Sequence, residues 1–156
     1  MKTVRYKELF CVAVLVVFIV LLCSGGKTSK ANAEDVFNAV SSAVDSGELS
    51  LCKDEKFKKE FGFGVQEFDG VYYMASDSIM EVREILVVKA AEQSPSDELV
   101  EKIKARVEDK AVLFKGYAPE QSALLEDYIF VQKGNFILFS VTDSPSIIKG
   151  AFKKAL

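Results

Sequence analysis

The chain contains no histidine, the side chain that serves most often as a general base in enzymes and as a ligand for metals. Its three cysteines are too few for a zinc ribbon or for a disulfide framework. Catalysis or metal binding would therefore have to use hydroxyl, amine and carboxylate groups or a single thiol.

The motif Ser-x-x-Lys, in which a lysine activates a serine nucleophile in penicillin-recognising enzymes, occurs three times, beginning at Ser24, Ser50 and Ser146. The companion motifs Ser-Asp-Asn and Lys-Thr-Gly are absent from the sequence, and 156 residues are too few for that fold. Serine and lysine are both common in this chain, so chance accounts for the matches. We predict no catalytic residue and expect that the protein is not an enzyme.

Adjacent carboxylates are the remaining candidates for metal chemistry. They occur at Glu34-Asp35, Asp54-Glu55, Asp97-Glu98, Glu108-Asp109 and Glu126-Asp127. The first four fall on the surfaces or first turns of predicted helices, where solvated charge is usual. The last stands where a helix leads into a strand, but no aspartate series of the calcium-loop type surrounds it. We predict no metal site and no cofactor.

One polar cluster is a candidate binding site. It consists of Tyr117, Glu120, Gln121 and Glu126. These residues could form a recognition edge beside a predicted hairpin. In the alternative interpretation they belong to an ordinary helix start, with Tyr117 packed over the preceding long helix.

An uncharged stretch at residues 9–26 predicts a membrane segment, and its first part reads LFCVAVLVVFIVLLC. As a helix it would reach roughly 27 Å, close to the bilayer's hydrocarbon thickness of about 30 Å. The basic residues Lys2, Arg5 and Lys7 precede it, which predicts an N-terminus inside and a body outside the cytoplasmic membrane. Residues 1–26 are thus a signal or anchor segment, followed by a short tether to Ala33.

Three processed forms agree with this segment. The anchor could be retained, or Cys23 could be lipidated, because Val20-Leu21-Leu22-Cys23-Ser24 is similar to a bacterial lipoprotein box. Such boxes prefer a residue smaller than Leu22 before the cysteine. Alternatively, Ala31-Asn32-Ala33 provides a small-x-small cleavage site after Ala33. Every form places the body outside the cytoplasm.

Residues 34–156 are predicted to form a single domain. Asn32 and the acids that follow it start a helix that Gly47 should end, and a second helix is predicted over Asp54–Phe61. Strands follow at 71–75 and Glu84–Lys89. The longest predicted helix begins at Ser94-Pro95-Ser96-Asp97 and extends to about Phe114. Its apolar residues recur at spacings of three and four: Val100, Ile103, Val107, Ala111 and Phe114.

The C-terminal part predicts a helix start at Pro119 and two strands, 128–132 and Phe136–Val141, joined by a tight hairpin at Lys133-Gly134-Asn135. A last helix begins at Asp143-Ser144-Pro145. After the N-terminal hydrophobic helix, the overall order is α-α-β-β-α-β-β-α. This predicts an α+β fold with a four-stranded antiparallel sheet. The last strand is apolar on both faces, so one face should pack against the long helix and the other against the N-terminal helices.

The net charge of the chain limits the classes of molecule that it is expected to bind. The 20 basic and 23 acidic residues leave a formal net charge of −3. An acidic protein gains little from counterion release on a polyanion, so no nucleic-acid partner is expected. We expect a membrane contact through residues 9–26 and a protein partner that the sequence does not identify.

Three stretches of the body resemble a known family. They are Phe114-Lys115-Gly116-Tyr117-Ala118-Pro119-Glu120-Gln121, Leu124-Leu125-Glu126 and Val131-x-Lys133-Gly134-Asn135. Together with the Ile85–Lys89 strand they are similar to the domain-of-unknown-function family DUF4358, small exported proteins of Gram-positive bacteria. The resemblance extends from about Asp35 to the C-terminus. It implies a lipoprotein or a singly anchored protein with a small α+β domain, and it implies no activity, ligand or catalytic residue.

These observations lead to the expectation of a membrane-tethered extracytoplasmic domain that serves as a protein-interaction or accessory module. The alternative is a small-ligand sensor or carrier, which would need a pocket between the sheet and the helices. A hydrolase of cell-envelope substrates is the third alternative, and the absence of histidine and of a nucleophile constellation counts against it.

Overall fold

The computed structural model describes residues 28–45 and 49–156, and within them five α-helices lie on one five-stranded antiparallel sheet. The predicted hydrophobic helix at 9–26 and the candidate lipidation site Cys23 lie outside the described residues. The elements in chain order are α1 (Ala33–Ser41), β1 (Leu49–Leu51), α2 (Asp54–Phe61), β2 (Gly70–Ser76), β3 (Glu84–Lys89), α3 (Ser96–Lys115), α4 (Pro119–Glu126), β4 (Ile129–Lys133), β5 (Phe136–Val141) and α5 (Pro145–Ala155).

The α+β class is confirmed, but the prediction of four strands is wrong. The strand order is β1-β2-β3-β5-β4, and β1 pairs with the end of β2 through Leu49 opposite Ser76 and Leu51 opposite Met74. A strand of three residues is too short to show an alternating pattern, so its existence depends on the neighbour with which it pairs.

The predicted element order also lacks α4. The helix start at Pro119 is confirmed, and α4 runs from there to Glu126 as a separate helix packed against α3. The nitrogen of proline has no hydrogen to donate, so Pro119 suits the first position of a helix, where no such bond is required. The observed order is therefore α-β-α-β-β-α-α-β-β-α.

The sheet has a hydrophobic core on each face, because side chains alternate along each strand. Leu86 and Val88 of β3 join the core under α2, α3 and α4, whereas Ile85 and Val87 join the core under α1 and α5. The prediction that both N-terminal helices share the face opposite the long helix is correct for α1 and wrong for α2. The phenylalanines of α2 are buried beside Tyr73, on the same face as α3.

Two glycines occupy backbone conformations that other residues adopt only with strain. Gly62 ends α2 at a φ of 85°, and Gly134 has a φ of 61° in the two-residue turn between β4 and β5. The predicted helix end and hairpin are thus confirmed at these positions. Helix α1 ends earlier than predicted, at Ser41, and Gly47 lies outside the described residues.

The chain contacts the sheet from Ser29 onward. The amide of Ser29 donates to Asn135 Oδ1 at 3.0 Å, and Lys89 Nζ donates to the carbonyl of Ala31 at 2.9 Å. Asn32 then caps α1 by accepting from the amide of Glu34. These contacts place the chain entry at the end of the sheet where β3 ends and β5 begins. Within residues 28–45 and 49–156, no helix has the length and apolar character needed to span a membrane.

Candidate functional site

A pocket of about 230 Å³ lies at the other end of the sheet, where β2 leads into β3. Its walls are the loop 77–83 on one side and helices α2 and α3 on the other. The lining residues are Lys56, Glu60, Tyr73, Ala75, Ser76, Asp77, Ser78, Ile79, Glu81, Val82, Arg83, Glu84, Arg106, Lys110 and Phe114. Eight of these fifteen residues are charged, and they lie beside the apolar core that the sheet shares with α2, α3 and α4.

Glu84 forms the floor of the pocket, and only 1% of its side chain is exposed. Its position follows from the strand alternation, because Glu84 lies on the same face as Leu86 and therefore under α3. Tyr73 Oη donates to Oε2 at 2.6 Å, and Arg106 Nη1 donates to Oε1 at 2.6 Å. The buried carboxylate is thus compensated by one cation and one hydroxyl, which a buried charge requires.

Arg106 links the floor to helix α2. Its Nε and Nη2 approach Glu60 Oε2 at 2.9 Å and 2.8 Å, while its guanidinium lies 5.0 Å from the ring centroid of Phe61. A guanidinium can hold two carboxylates at once because its donors point in fixed directions. Arg106 therefore fixes α3 against both β3 and α2.

The electrostatic environment shifts the pKa of three groups on this floor. Burial, followed by the charge of Glu84, raises the pKa of Tyr73, so the phenol stays protonated and acts as a donor. Burial would lower the pKa of Arg106, but the charge and hydrogen bond of Glu84 reverse this and raise it. Burial would likewise raise the pKa of Glu60, but its hydrogen bond and charge interaction with Arg106 lower it below its ordinary value.

Two lysines complete the inner part of the pocket. Lys110 Nζ lies 3.6 Å from Glu84 Oε1, and 28% of the lysine side chain is exposed. Burial lowers the pKa of Lys110, and the charge of Glu84 offsets this only in part. From helix α2, Lys56 Nζ donates to the carbonyl of Ser76 at 3.3 Å.

The loop 77–83 forms the rim of the pocket, and its tip exposes two apolar side chains. Ile79 is 91% exposed and Met80 52% exposed at the tip of the loop 77–83. The loop is held from two sides, since the amide of Val82 donates to Gln121 Oε1 at 3.0 Å and Arg83, which also pairs with Glu81, lies 3.4 Å from Asp143 Oδ2. The rim is therefore an exposed apolar tip on a well-supported base.

The structure does not bring the four predicted site residues together. Tyr117 is 51% exposed and lies over Phe114 with ring centroids 5.2 Å apart, as expected for a tyrosine packed over the long helix. Gln121 points to the loop of the pocket, whereas Glu120 and Glu126 are exposed and do not line it. Gln121 and Tyr117 do not line the pocket, but each contacts one residue that does. Gln121 contacts Val82, and Tyr117 contacts Phe114.

The inner residues of the pocket are absent from the sequence-based candidates, although weak signals for some of them exist. Glu84 is a charge at the start of an otherwise apolar strand. Arg106 lies three residues after Ile103, and Lys110 and Phe114 follow at intervals of four, so all lie near the buried face of the same helix. Charges at such positions lie on the edge of the buried stripe of a helix.

The pocket contains several carboxylates, but they are not arranged around a free central position. In the described part of the chain, no group of three or more histidine, cysteine, aspartate or glutamate residues is arranged to hold a metal ion. Glu60 and Glu84 face each other across Arg106, which occupies the place that a cation would need. The pocket offers the ammonium groups of Lys56 and Lys110 near the carboxylate of Glu84, which is already paired with Arg106.

Comparison with known proteins identifies one family. The sequence profile of the family described as a domain of unknown function, DUF4358, matches residues 42–142. The chain belongs to DUF4358. The match includes the whole sheet and every residue of the pocket, whereas α1 and α5, which cover the opposite face, lie outside it. No curated protein and no solved structure matches the chain.

Proposed function

We propose that this protein is a membrane-tethered, extracytoplasmic protein-interaction module that acts by binding rather than by catalysis. The observation that carries the proposal is the pocket at the β2–β3 end of the sheet, with a polar floor and an apolar rim. At about 230 Å³ it is smaller than the pockets of about 300–1,000 Å³ that enclose drug-sized ligands. It is large enough for a single side chain of a partner.

The rim supports a protein partner. Ile79 and Met80 expose apolar surface at the pocket mouth, and Tyr117 exposes half of its side chain beside the pocket residue Phe114. Aromatic residues and methionine are enriched at protein interfaces, and binding energy concentrates in small pockets ringed by apolar contacts. Because the loop base is already ordered by Gln121 and by the Glu81–Arg83 pair, binding loses little conformational entropy there.

The position of the pocket supports the tethered arrangement. The chain enters the domain at Ser29 beside Asn135, near Lys89, whereas the pocket lies beyond Glu84 at the other end of the same strand. Six residues of β3, at about 3.4 Å per residue, separate the two ends by roughly 17–20 Å. With residues 9–26 in the bilayer, the pocket faces away from the membrane and is open to an extracytoplasmic partner.

The test is photo-cross-linking in intact cells that express the full-length chain. With p-benzoylphenylalanine in place of Ile79, we expect a discrete cross-linked product that contains a second protein. The control places the same group at Glu92, an exposed residue near the chain entry. Equal products at both positions, or no product at Ile79, would contradict the proposal.

For the processed form, we propose the retained anchor. Cleavage after Ala33 would remove the hydrogen bonds of Ser29 and Ala31 to the sheet and the Asn32 cap of α1. Mass spectrometry of membrane-extracted protein separates the three forms. We expect the intact mass; a diacylglyceryl adduct at Cys23 would identify a lipoprotein, and a product beginning at Glu34 would contradict both.

A small-ligand sensor or carrier is the second candidate, and the pocket itself is the observation in its favour. A small polar molecule could occupy about 230 Å³ without touching the apolar rim. The two candidates differ at Ile79 and Met80. Replacing both with serine should abolish a protein contact and leave the binding of a small polar molecule unchanged.

A further inference from the structure

The acidic groups that line the pocket are already engaged. Glu60 and Glu84 both accept from Arg106, and Glu81 pairs with Arg83. Asp77 at the rim accepts a hydrogen bond from Ser50 Oγ at 3.0 Å. None of these carboxylates is a strong candidate to attract a new cation into the pocket.

Lys110 is only partly compensated by the carboxylate beside it. Glu84 Oε1, at 3.6 Å, is beyond ordinary hydrogen-bond distance, and that oxygen already accepts from Arg106 at 2.6 Å. An ammonium carries three donors, and here the side chain is largely withdrawn from water. Burial disfavours the charged form of Lys110 and lowers its pKa. An anion bound in the pocket would offset this cost.

Lys56 approaches the same pocket from helix α2. Its hydrogen bond to the carbonyl of Ser76 uses one of its three donors. The five inner charged residues are Lys56, Glu60, Glu84, Arg106 and Lys110, with three positive and two negative charges. These five residues carry an excess of one positive charge, and the other three charged lining residues, Asp77, Glu81 and Arg83, bring the whole lining to four positive and four negative charges.

We propose that the pocket binds one carboxylate, presented by an acidic side chain of a protein partner and held by Lys56 and Lys110. The inference rests on the proposed interaction function and adds the chemistry of its anchor. A carboxylate carries the single negative charge that balances the five inner charged residues, whereas a doubly charged phosphate would exceed it. The apolar rim of Ile79 and Met80 then covers the polypeptide that carries the acidic side chain.

The experiment is an NMR titration of the full-length protein in detergent micelles, followed at the amides of residues 77–83. The probes are acetyl-Ala-Glu-Ala-amide, its glutamine and lysine analogues, and free glutarate. We expect the glutamate peptide to bind at least tenfold more tightly than any other probe. K56M and K110M should each weaken it at least fivefold, whereas K58M and K102M, exposed controls on the same two helices, should not.

Each contrary outcome has a separate meaning. Equal binding of the glutamate and glutamine peptides would overturn the carboxylate assignment and leave the interaction module standing. Tighter binding of the lysine peptide would show that the pocket prefers a positive charge and would overturn the proposal of an anionic ligand. Equal binding of free glutarate would overturn the proposal that the carboxylate belongs to a polypeptide. Peptides that fail to bind, while Ile79 still cross-links a partner in cells, would overturn this inference alone. Should both fail, the proposed function falls as well.

Discussion

A single buried carboxylate organises the pocket of this domain. Glu84 is 1% exposed, and three elements supply its partners: Tyr73 from β2 and Arg106 and Lys110 from α3, with Ser140 of β5 bonded to its backbone carbonyl. A buried ion pair contributes little net stability compared with apolar residues of the same size, but removing one partner leaves a buried charge that is poorly compensated. The network therefore makes the relative positions of β3 and α3 sensitive to single side chains.

Arg106→Met should show this sensitivity. The substitution leaves Glu84 without its guanidinium, and we expect a loss of about 3–5 kcal/mol in the free energy of unfolding. The measurement is urea denaturation of the full-length protein in micelles, followed by tyrosine fluorescence because the chain has no tryptophan. The control is Arg83→Met at the more exposed Glu81 pair, for which about 1 kcal/mol or less is expected. Equal losses would contradict the central role of Glu84.

The pKa of Glu60 predicts a pH dependence. Arg106 lowers this pKa below its ordinary value of 4.5, so the folded state binds protons less readily than the unfolded state. The resulting stability is present above pH 4.5 and is lost as the pH falls through the lower pKa of the folded protein. Glu60→Gln should therefore flatten the decline of the urea midpoint below pH 4.5. The exposed control Glu98→Gln should leave the decline unchanged; a flattening there would show that the effect is not specific to Glu60.

At the scale of elements, α4 supports the pocket without lining it. Its residue Gln121 accepts from the amide of Val82 and so holds the loop 77–83 against α4. The loop carries Ile79 and Met80, so the shape of the rim depends on a helix that is remote in sequence. This gives one of the sequence-predicted site residues a positioning role.

Gln121→Ala should loosen the rim. We expect faster hydrogen exchange at the amide of Val82 and a weaker Ile79 cross-link, because the loop loses its side-chain acceptor. Gln121→Glu keeps an oxygen acceptor and should restore both readouts. The exposed neighbour variant Glu120→Ala should change neither, and a similar loss with that variant would contradict the positioning role of Gln121.

At the scale of the whole molecule, the sheet separates the entry of the chain from the pocket. The chain contacts the sheet first at Ser29, beside the β4–β5 hairpin, while the β2–β3 loop lies at the far end of the strands. A rigid five-stranded sheet keeps this separation constant. Any partner bound at the pocket would therefore lie at the end of the sheet opposite the chain entry.

The proposed orientation of the domain relative to a membrane can be measured by energy transfer. A fluorophore is attached to Ile79→Cys or to Glu92→Cys in a full-length background in which Cys11, Cys23 and Cys52 are replaced. The acceptor is a labelled lipid headgroup in reconstituted vesicles. We expect position 79 to lie farther from the bilayer than position 92 by roughly the length of β3, about 17–20 Å. Equal transfer from the two positions would contradict the orientation.

The sequence by itself determined the α+β class, most of the helices and the central strands. Their apolar residues recur at the helical or strand period over many positions, and special residues such as Gly134 mark the turns. It did not predict β1, because three residues carry no readable period. Nor did it predict that α2 lies beside α3, since that depends on which face of a remote strand receives Phe57 and Phe61.

Only the tertiary structure decided the site. Glu60, Tyr73, Glu84 and Arg106 are separated by 11 to 46 residues, and each looks like an ordinary surface or strand residue in its own segment. The candidates chosen from sequence lie close together along the chain, but neighbours along a helix point in different directions. Local periodicity determines which elements form. The burial and pairing of a charged side chain arise only where elements that are distant in sequence meet.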